Sequence, residues 1–506
     1  MSSTSSLSDP VVIVGGIVVD PDDDAGSPRS QDIRIERGRI AATGVPGSLG
    51  SSDNARIIDA HGMLVTPGFV NAHYHSHDVL LRGMFEQMPL ECWVLGSSPA
   101  NYPRTNVEEV RARTLIGAAE NLRSGITACQ DMVTIVAADR EHRDTILSAY
   151  EETGIRVVLA LQMSDRAVAD TVPFWREELS QKSLLQLRQG SDFGPMRQLV
   201  EEVLTAEQSR SDRIRLALGP SAPQRCSESM LTWMACAAEQ YSLRLFTHLY
   251  ETKSQAVLAR MAYQNDGHSL ISYIDRMGLL NDRLSIAHGV WITDNVISRL
   301  ARAGASVILN PVSNLKLLNG VAPVHRYLDA GVGVAIGCDN CSGSDAQNIF
   351  EAMKAFALWY GFQSKPGESG AARQAFKAAT LGGAKALGLE NEVGAFRRGM
   401  RADLVLLNLA DPSFVPLNDA IRQLVYAATP RAVHAVLVGG EVVLADNCIR
   451  SFDERAVHDI ARKIQGAIRE QSGAIVARTS DLAQEILGIH RRIDAYPLEI
   501  DRLRLC

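Results

Sequence analysis

Val65-Thr-Pro-Gly-Phe-Val-Asn-Ala-His-Tyr-His-Ser-His77 reads as a buried strand that ends in a cluster of imidazoles. Side chains alternate between the two faces of a strand, so His73 and His75 point the same way. Two neutral imidazoles at the end of one apolar strand present two nitrogen lone pairs to a single metal ion. An isolated His-x-His pair says little, because surface histidines produce many. Three later partners give it weight, each closing its own apolar strand: Leu245-Phe-Thr-His248, Ser285-Ile-Ala-His288 and Ala335-Ile-Gly-Cys-Asp339.

Those strands belong to a regular series. Apolar runs at 68–70, 127–129, 157–161, 214–218, 243–247, 284–287, 306–309 and 332–336 alternate with amphipathic helical stretches such as 107–124, 194–207, 226–241 and 293–303. Strict βα alternation implies a parallel sheet, and eight units predict an α/β fold of the closed (β/α)8 TIM-barrel type. Catalytic groups of such barrels sit at the C-terminal ends of the strands, where these histidines and the aspartate fall, on strands one, five, six and eight. A doubly wound open sheet is the alternative; no Gly-rich nucleotide fingerprint follows the first strand, which disfavours it and any dinucleotide-dependent enzyme.

Short β-like runs crowd both flanks, among them Val11-Val-Ile-Val14, Arg56-Ile-Ile-Asp59, Asp403-Leu-Val-Leu-Leu-Asn408 and Val433-His-Ala-Val-Leu-Val438. They predict a small β-sandwich assembled from residues 1–66 and 396–452, with 67–395 left for the barrel. Asp22–Asp24 and the Gly/Ser stretch 48–52 read as exposed loops. Residues 453–506 have helical periodicity and no chemical motif, and read as a surface-packing or subunit-contact tail. A homo-oligomer, dimer or tetramer, is expected.

Composition bounds the rest. The 506 residues are 46% hydrophobic and 22% charged with a net charge of −7, which argues against nucleic-acid and membrane partners. The opening Met1–Asp9 lacks a signal-peptide pattern, so a cytoplasmic location is expected. Eight scattered cysteines form no disulfide framework, and the lone Cys338-x-x-Cys341 lacks the second pair of a zinc knuckle.

A single His after a strand is more often a hydrogen-bonded core residue, and a single Asp is usually a helix N-cap. Five such groups on four strand ends are harder to explain that way. Three histidines and one aspartate suit zinc or iron with a coordination position open to water. Glu251, three residues past His248, lies where it could handle protons beside a metal.

At these residues the chain resembles the amidohydrolase superfamily, in particular its deaminase and chlorohydrolase branch. The resemblance rests on Pro67-Gly-Phe-Val-Asn-Ala-His-Tyr-His75, His248-Leu-Tyr-Glu251, Ala287-His-Gly-Val-Trp291, Asn310-Pro-Val-Ser-Asn-Leu-Lys-Leu317, Gly337-Cys-Asp339 and Gly394–Val405. It implies one divalent metal, zinc before iron, held by His73, His75, His248 and Asp339. Glu251 would shuttle protons and His288 would orient the nucleophile or polarise the substrate. Strand four ends Leu216-Ala-Leu-Gly-Pro-Ser-Ala-Pro-Gln224, without the Lys or Glu of binuclear relatives, which favours a single metal. Cys338 stands where Thr or Ser is commoner and is expected to alter packing only. His77 is expected at most to line the pocket; Cys226, His268 and His325 read as structural.

The resemblance implies a hydrolase acting on carbon–nitrogen bonds other than peptide bonds, or on a C–Cl bond, of a small substrate. Amide or urea hydrolysis and nucleoside deamination are the alternatives; a non-enzymatic barrel would have lost ligands. The segment His77–Trp93 looks like the first-loop Leu-Leu-Arg-Gly…Leu-Pro-Leu…Trp of adenosine-type deaminases, with Cys92 in place of their acidic residue and Glu91 one place earlier. Met84, Phe85, Met88, Leu90 and Trp93 predict an apolar lid that favours small aromatic or heteroaromatic compounds over nucleosides. Trp93, Met88, Gln162 and Asn314 are the expected substrate contacts.

Overall fold

The computed structural model describes residues 10–23, 28–49, 55–206, 211–368 and 370–503. Met1–Asp9, Asp24, residues 50–52, Glu207 and Cys506 of the sequence reading lie outside the described residues.

Eight parallel strands form the barrel: β1 (Phe69–His75), β2 (Ile126–Thr134), β3 (Arg156–Met163), β4 (Ile214–Pro220), β5 (Arg244–Leu249), β6 (Leu284–His288), β7 (Ser306–Leu309) and β8 (Gly333–Ile336). Each pairs with the next, and Asp339–Asn340, the continuation of β8 past Gly337-Cys338, returns to pair with β1. The ring closes through Asp339 opposite Tyr74 and Asn340 opposite His75. Its interior is filled by small and branched side chains, including Val70, Ala72, Ala128, Val158, Ala160 and Ile308, as a packed core.

The apolar runs underestimate β1 and β2. All seven residues of β1 are buried, so both histidines still belong to the strand. β2 continues through Gln130 and Asp131 because Gln130 Oε1 and both Asp131 oxygens find partners inside: Gln130 Oε1 meets His73 Nδ1 at 3.2 Å, and Asp131 accepts from the Ser76 N–H at 2.9 Å and the Tyr150 hydroxyl at 2.7 Å.

The β-rich ends join in a second, nine-stranded sheet. Leu404–Asn408 lies antiparallel to Met63–Pro67, which leads directly into β1. A separate core of Ile13, Ile33, Ile35, Val65, Leu404 and Leu437 supports it. Arg156 of β3 pins this sheet to the barrel, with Nε and Nη2 on the two Asp403 oxygens at 3.1 and 3.2 Å. Asp403 also accepts the Gly439 N–H at 2.7 Å, so the buried carboxylate is fully engaged.

The tail forms α1 (Glu454–Arg478) and α2 (Ser480–Ala495). The buried stripe Leu482, Ile486, Ile489 and Ile493 follows helical spacing. It packs on Cys92, Val172, Phe174, Leu179 and Val257, which belong to segments following β1, β3 and β5. The tail therefore covers part of the C-terminal face of its own barrel. His490 Nε2 lies 2.9 Å from Glu91 Oε2, and the Thr252 hydroxyl donates to Glu91 Oε1 at 3.0 Å.

Burial alone would raise the Glu91 carboxyl, but the contact with His490 and its charge outweigh it and hold it at about 2. The same contact outweighs burial at His490 and raises it. The Glu91 contribution is present above about pH 4.3 and lost as pH falls toward its folded value. The His490 contribution is full below about pH 6.5 and lost as pH rises through its raised value. The stability difference between wild type and Glu91→Gln should peak near pH 5–6, at about 3 kcal/mol in urea titrations. It should shrink as pH rises through the raised value of His490 and as pH falls below about 3; a pH-independent difference would show that the pair is not charged.

Candidate metal centre

Four imidazoles and a carboxylate converge at the C-terminal mouth of the barrel. His73 and His75 share one face of β1, with Nε2 atoms 3.2 Å apart. His248 on β5 brings its Nε2 to 3.4 Å from that of His75. Asp339 Oδ1 lies 3.5 Å from both His73 and His75 Nε2, and His288 Nε2 lies 3.9 Å from Asp339 Oδ2. Donor atoms of His73, His75 and His248 lie within 4.8 Å of one another, as do those of His73, His288 and Asp339. His73 belongs to both groups, so they describe one small centre. All are buried except His248, which is part-buried.

The backbone is bent to bring them there. His288 and Asp339 have positive φ, 74° and 61°, a left-handed conformation that costs a non-glycine residue on the order of 1 kcal/mol. Gly337 lets β8 pass close behind β1, because a Cβ there would meet His73 Cβ at 2.7 Å and Asn310 Oδ1 at 2.3 Å. Cys338 is buried and its N–H donates to Asn71 at 2.9 Å, consistent with a packing role.

Each ring is oriented from behind. The Nδ1 atoms lie 2.6 Å from the Met132 carbonyl for His75, 2.5 Å from the Ser221 carbonyl for His248, 2.7 Å from Asn314 Oδ1 for His288 and 3.2 Å from Gln130 Oε1 for His73. A carbonyl only accepts, so Nδ1 carries the proton and Nε2 offers its lone pair to the shared space. Burial, then the charge of His73, lowers His75 to about 3 and takes His248 well below its ordinary value; burial also lowers His288.

Neutral lone pairs facing each other at 3.2 and 3.4 Å repel unless a cation lies between them. A tetrahedral zinc with Zn–N of about 2.0–2.1 Å separates two nitrogens by about 3.3 Å. Asp339 Oδ1 is buried without a hydrogen-bond partner among the described residues, while Oδ2 accepts from Ser313 at 2.6 Å. Burial would raise the Asp339 carboxyl, but the contact with His73 and the polar surroundings of His288, His73 and His75 hold it well below the carboxylate range. The donors present fit a divalent metal.

Glu251 stands beside this set. Its Oε1 accepts from Asn319 Nδ2 at 2.9 Å and lies 3.6 Å from His288 Nε2. Burial, then the charge of Asp339, pushes its carboxyl up to about 8. The β4 end contributes the Ser221 carbonyl to His248, not a carboxylate or lysine.

The expected substrate contacts are placed differently from one another. Asn314 is engaged with His288. Gln162 bridges the Thr134 and Ser221 hydroxyls at 3.1 and 2.8 Å, behind His248. Trp93 donates to Ser342 at 3.1 Å and packs with Leu81, Phe85, Leu90, Leu317 and Ile468; Met88 packs against the same cluster. These apolar residues join the first loop to the tail. Cys92 turns toward the Ala483 carbonyl of α2, and the neighbouring Glu91 is the acidic group of this wall. The His77 ring lies 5.1 Å from that of His75 and takes the Thr134 N–H on Nδ1 at 3.3 Å, outside both donor groups. Gln130, Ser313 and Asn319 were not readable from spacing, because they meet His73, Asp339 and Glu251 from a strand, a short helix and a turn that share no periodic signature.

The Amidohydrolase family profile matches residues 64–443. A 5'-deoxyadenosine deaminase of Methanothermobacter thermautotrophicus is 32% identical over 438 residues, 87% of this chain and 95% of the relative. A 5-methylthioadenosine/S-adenosylhomocysteine deaminase of Thermococcus kodakarensis is 32% identical, over 82% of this chain and 89% of the relative. A solved adenosine deaminase from Xanthomonas campestris with bound zinc matches with a TM-score of 0.80 at 26% identity, covering 92% of this chain and 99% of that one. Profile, relatives and barrel-mouth histidines agree: the chain belongs to the amidohydrolase family.

Proposed function

We propose that the protein is a mononuclear, zinc-dependent hydrolytic deaminase of adenine-bearing, nucleoside-like compounds. The observation that carries this reading is the convergence of His73, His75, His248 and Asp339 beside a buried Glu251. The nitrogen-rich donor set favours zinc. When bound there, a divalent cation acidifies water toward neutrality and polarises the attacked carbon.

The chain's own residues do the remaining work. Glu251, with a carboxyl near neutrality, takes a proton from the attacking water and delivers it to the departing nitrogen. A C–O bond forms, the exocyclic C–N bond breaks, and ammonia leaves. His288, with Nδ1–H committed to Asn314, turns its Nε2 acceptor toward the water and fixes its direction of attack. The low exposure of Glu251 and His288 keeps bulk water from competing.

An adenine ring is a flat heteroaromatic group, as the sequence expects, and deaminases of such compounds are the relatives named above. The apolar residues of 84–93 are engaged in packing, so they do not argue against a sugar. A cytoplasmic homo-oligomer stays part of the reading. Leu358 and Phe362, one turn apart on the helix Ile349–Gln363, are 57% and 59% exposed, and no helix among the described residues is long and apolar enough to cross a membrane.

Ammonia release across 5'-deoxyadenosine, 5-methylthioadenosine, adenosine, triazines, arylureas and arylamides tests the substrate class. The adenine compounds should give the highest kcat/KM; a higher value for an arylurea or arylamide would replace this reading by amide or urea hydrolysis.

His248→Ala should lose most of its zinc by elemental analysis and keep its circular dichroism spectrum, because the ring is a part-buried donor at a preformed site. Glu251→Gln should keep the metal and lose about 10²–10⁴-fold in kcat. A fully metallated, active His248→Ala, or a wild-type rate for Glu251→Gln, would overturn the role assigned to that residue.

A further inference from the structure

The last described residues of the tail reach back to the loops that hold Glu251. Arg502 donates through Nε to the Val290 carbonyl at 3.1 Å and through Nη2 to the Ile292 carbonyl at 3.0 Å. Its own carbonyl accepts the Val321 N–H at 2.9 Å. Gly320, next to Val321, has φ 103°, and a Cβ there would meet the Arg502 carbonyl oxygen at 2.5 Å, so the contact is built for a glycine.

Both gripped loops touch the reacting groups. The Val290 and Trp291 N–H groups donate to the Tyr250 carbonyl at 2.9 and 2.8 Å, one residue before Glu251. The Trp291 indole donates to the Asn319 carbonyl at 2.7 Å, and the Asn319 amide donates to Glu251 Oε1 at 2.9 Å. The Asn319 N–H donates in turn to the carbonyl of Asn314, the residue that orients His288. One arginine thus clamps the loop after β6 against the 314–321 turn, and that turn carries the partners of both Glu251 and His288.

We infer that Arg502 is a positioning residue of the catalytic site: the tail acts as a strap that holds Asn319 on the Glu251 carboxyl. The inference rests on the reading of Glu251 as the proton carrier. The family profile ends at residue 443, so this strap lies outside the part of the chain that the profile describes. A bidentate fork is needed, since two carbonyls of one loop, two residues apart, are bridged by one planar group.

The test is a kinetic cycle on the zinc-loaded full chain with 5'-deoxyadenosine. Arg502→Ala should lower kcat about tenfold or more, as displaced catalytic groups do, with KM and zinc content within about twofold of wild type. Arg502→Lys, which keeps one donor and folds under milder perturbation, should recover part of the rate. In an Asn319→Ala background, Arg502→Ala should cost nothing further, because both changes break the same connection. A wild-type kcat for Arg502→Ala and Arg502→Lys would overturn the inference, as would losses that multiply with those of Asn319→Ala. A wild-type rate for Glu251→Gln would instead remove the reading on which it rests; a slow Glu251→Gln with a full-rate Arg502→Ala would remove the strap alone.

Discussion

The mutual repulsion of neutral imidazole lone pairs is the constraint around which the molecule is arranged. Each ring at the barrel mouth has its proton fixed on Nδ1 by an acceptor behind it, which leaves Nε2 atoms 3.2 to 3.4 Å apart and facing inward. Burial denies His75 and His248 a proton as a remedy at neutral pH. A cation held there would relieve the repulsion and satisfy the orphaned Asp339 oxygen at once. Three of the donors, His73, His75 and Asp339, sit on the closing seam of the barrel, where Asp339 pairs with Tyr74 and Asn340 with His75. A slip of one residue in that register would turn both β1 histidines to the opposite face. Metal affinity and barrel closure are therefore coupled through strand register rather than through flexible loops.

The same environment divides labour among the acidic groups. Asp339 lies within reach of the imidazoles and is held ionised. Glu251 is equally buried but faces Asp339 more than any fixed cation, and its carboxyl rises to about 8. Two neighbouring carboxylates are thus driven in opposite directions by their surroundings, one suited to hold a charge and one to exchange a proton. Glu91 completes the contrast. It is buried as well, yet His490 keeps it ionised, so it adds a fixed negative charge to the wall near Glu251.

Barrel strands and the histidine and aspartate positions at their ends were readable because their signals are local. An apolar run followed by His or Asp needs only its own segment to be recognised, and four such segments at βα spacing imply a common mouth. β1 and β2 proved longer than their apolar runs because Gln130 and Asp131 obtain hydrogen bonds only from residues distant in sequence. The loop 84–93 has the composition of a lid, but the tail supplies its partners: Ile468 meets Trp93 and Phe85, and Ala483 meets Cys92. Composition records that a residue will be buried and is silent on whether substrate or protein buries it. Asn319 and Arg502 were unreadable for the same reason, being single polar residues whose partners lie 68 and more than 200 positions away.

The tail also explains how a site at the open end of a barrel acquires rigidity. The loops after β1, β5, β6 and β7 start from fixed strand ends, but their far sides lie beyond the reach of the strand ladder. α2 packs its apolar stripe on the segments after β1, β3 and β5, and Arg502 ties the loop after β6 to the turn after β7. The two contacts lie on one continuous chain, so ordering α2 brings Arg502 within reach of its carbonyls at little further entropic cost. Rigidity at the mouth matters most for Glu251 in its proposed role, because a proton carrier would have to meet both the water and the leaving nitrogen without reorganising. Its carboxyl is held by the Asn319 side chain, and that donor sits in the turn that the tail closes upon. On the proposed role of Glu251, a segment with no catalytic side chain of its own would set the precision of the residue that moves the proton.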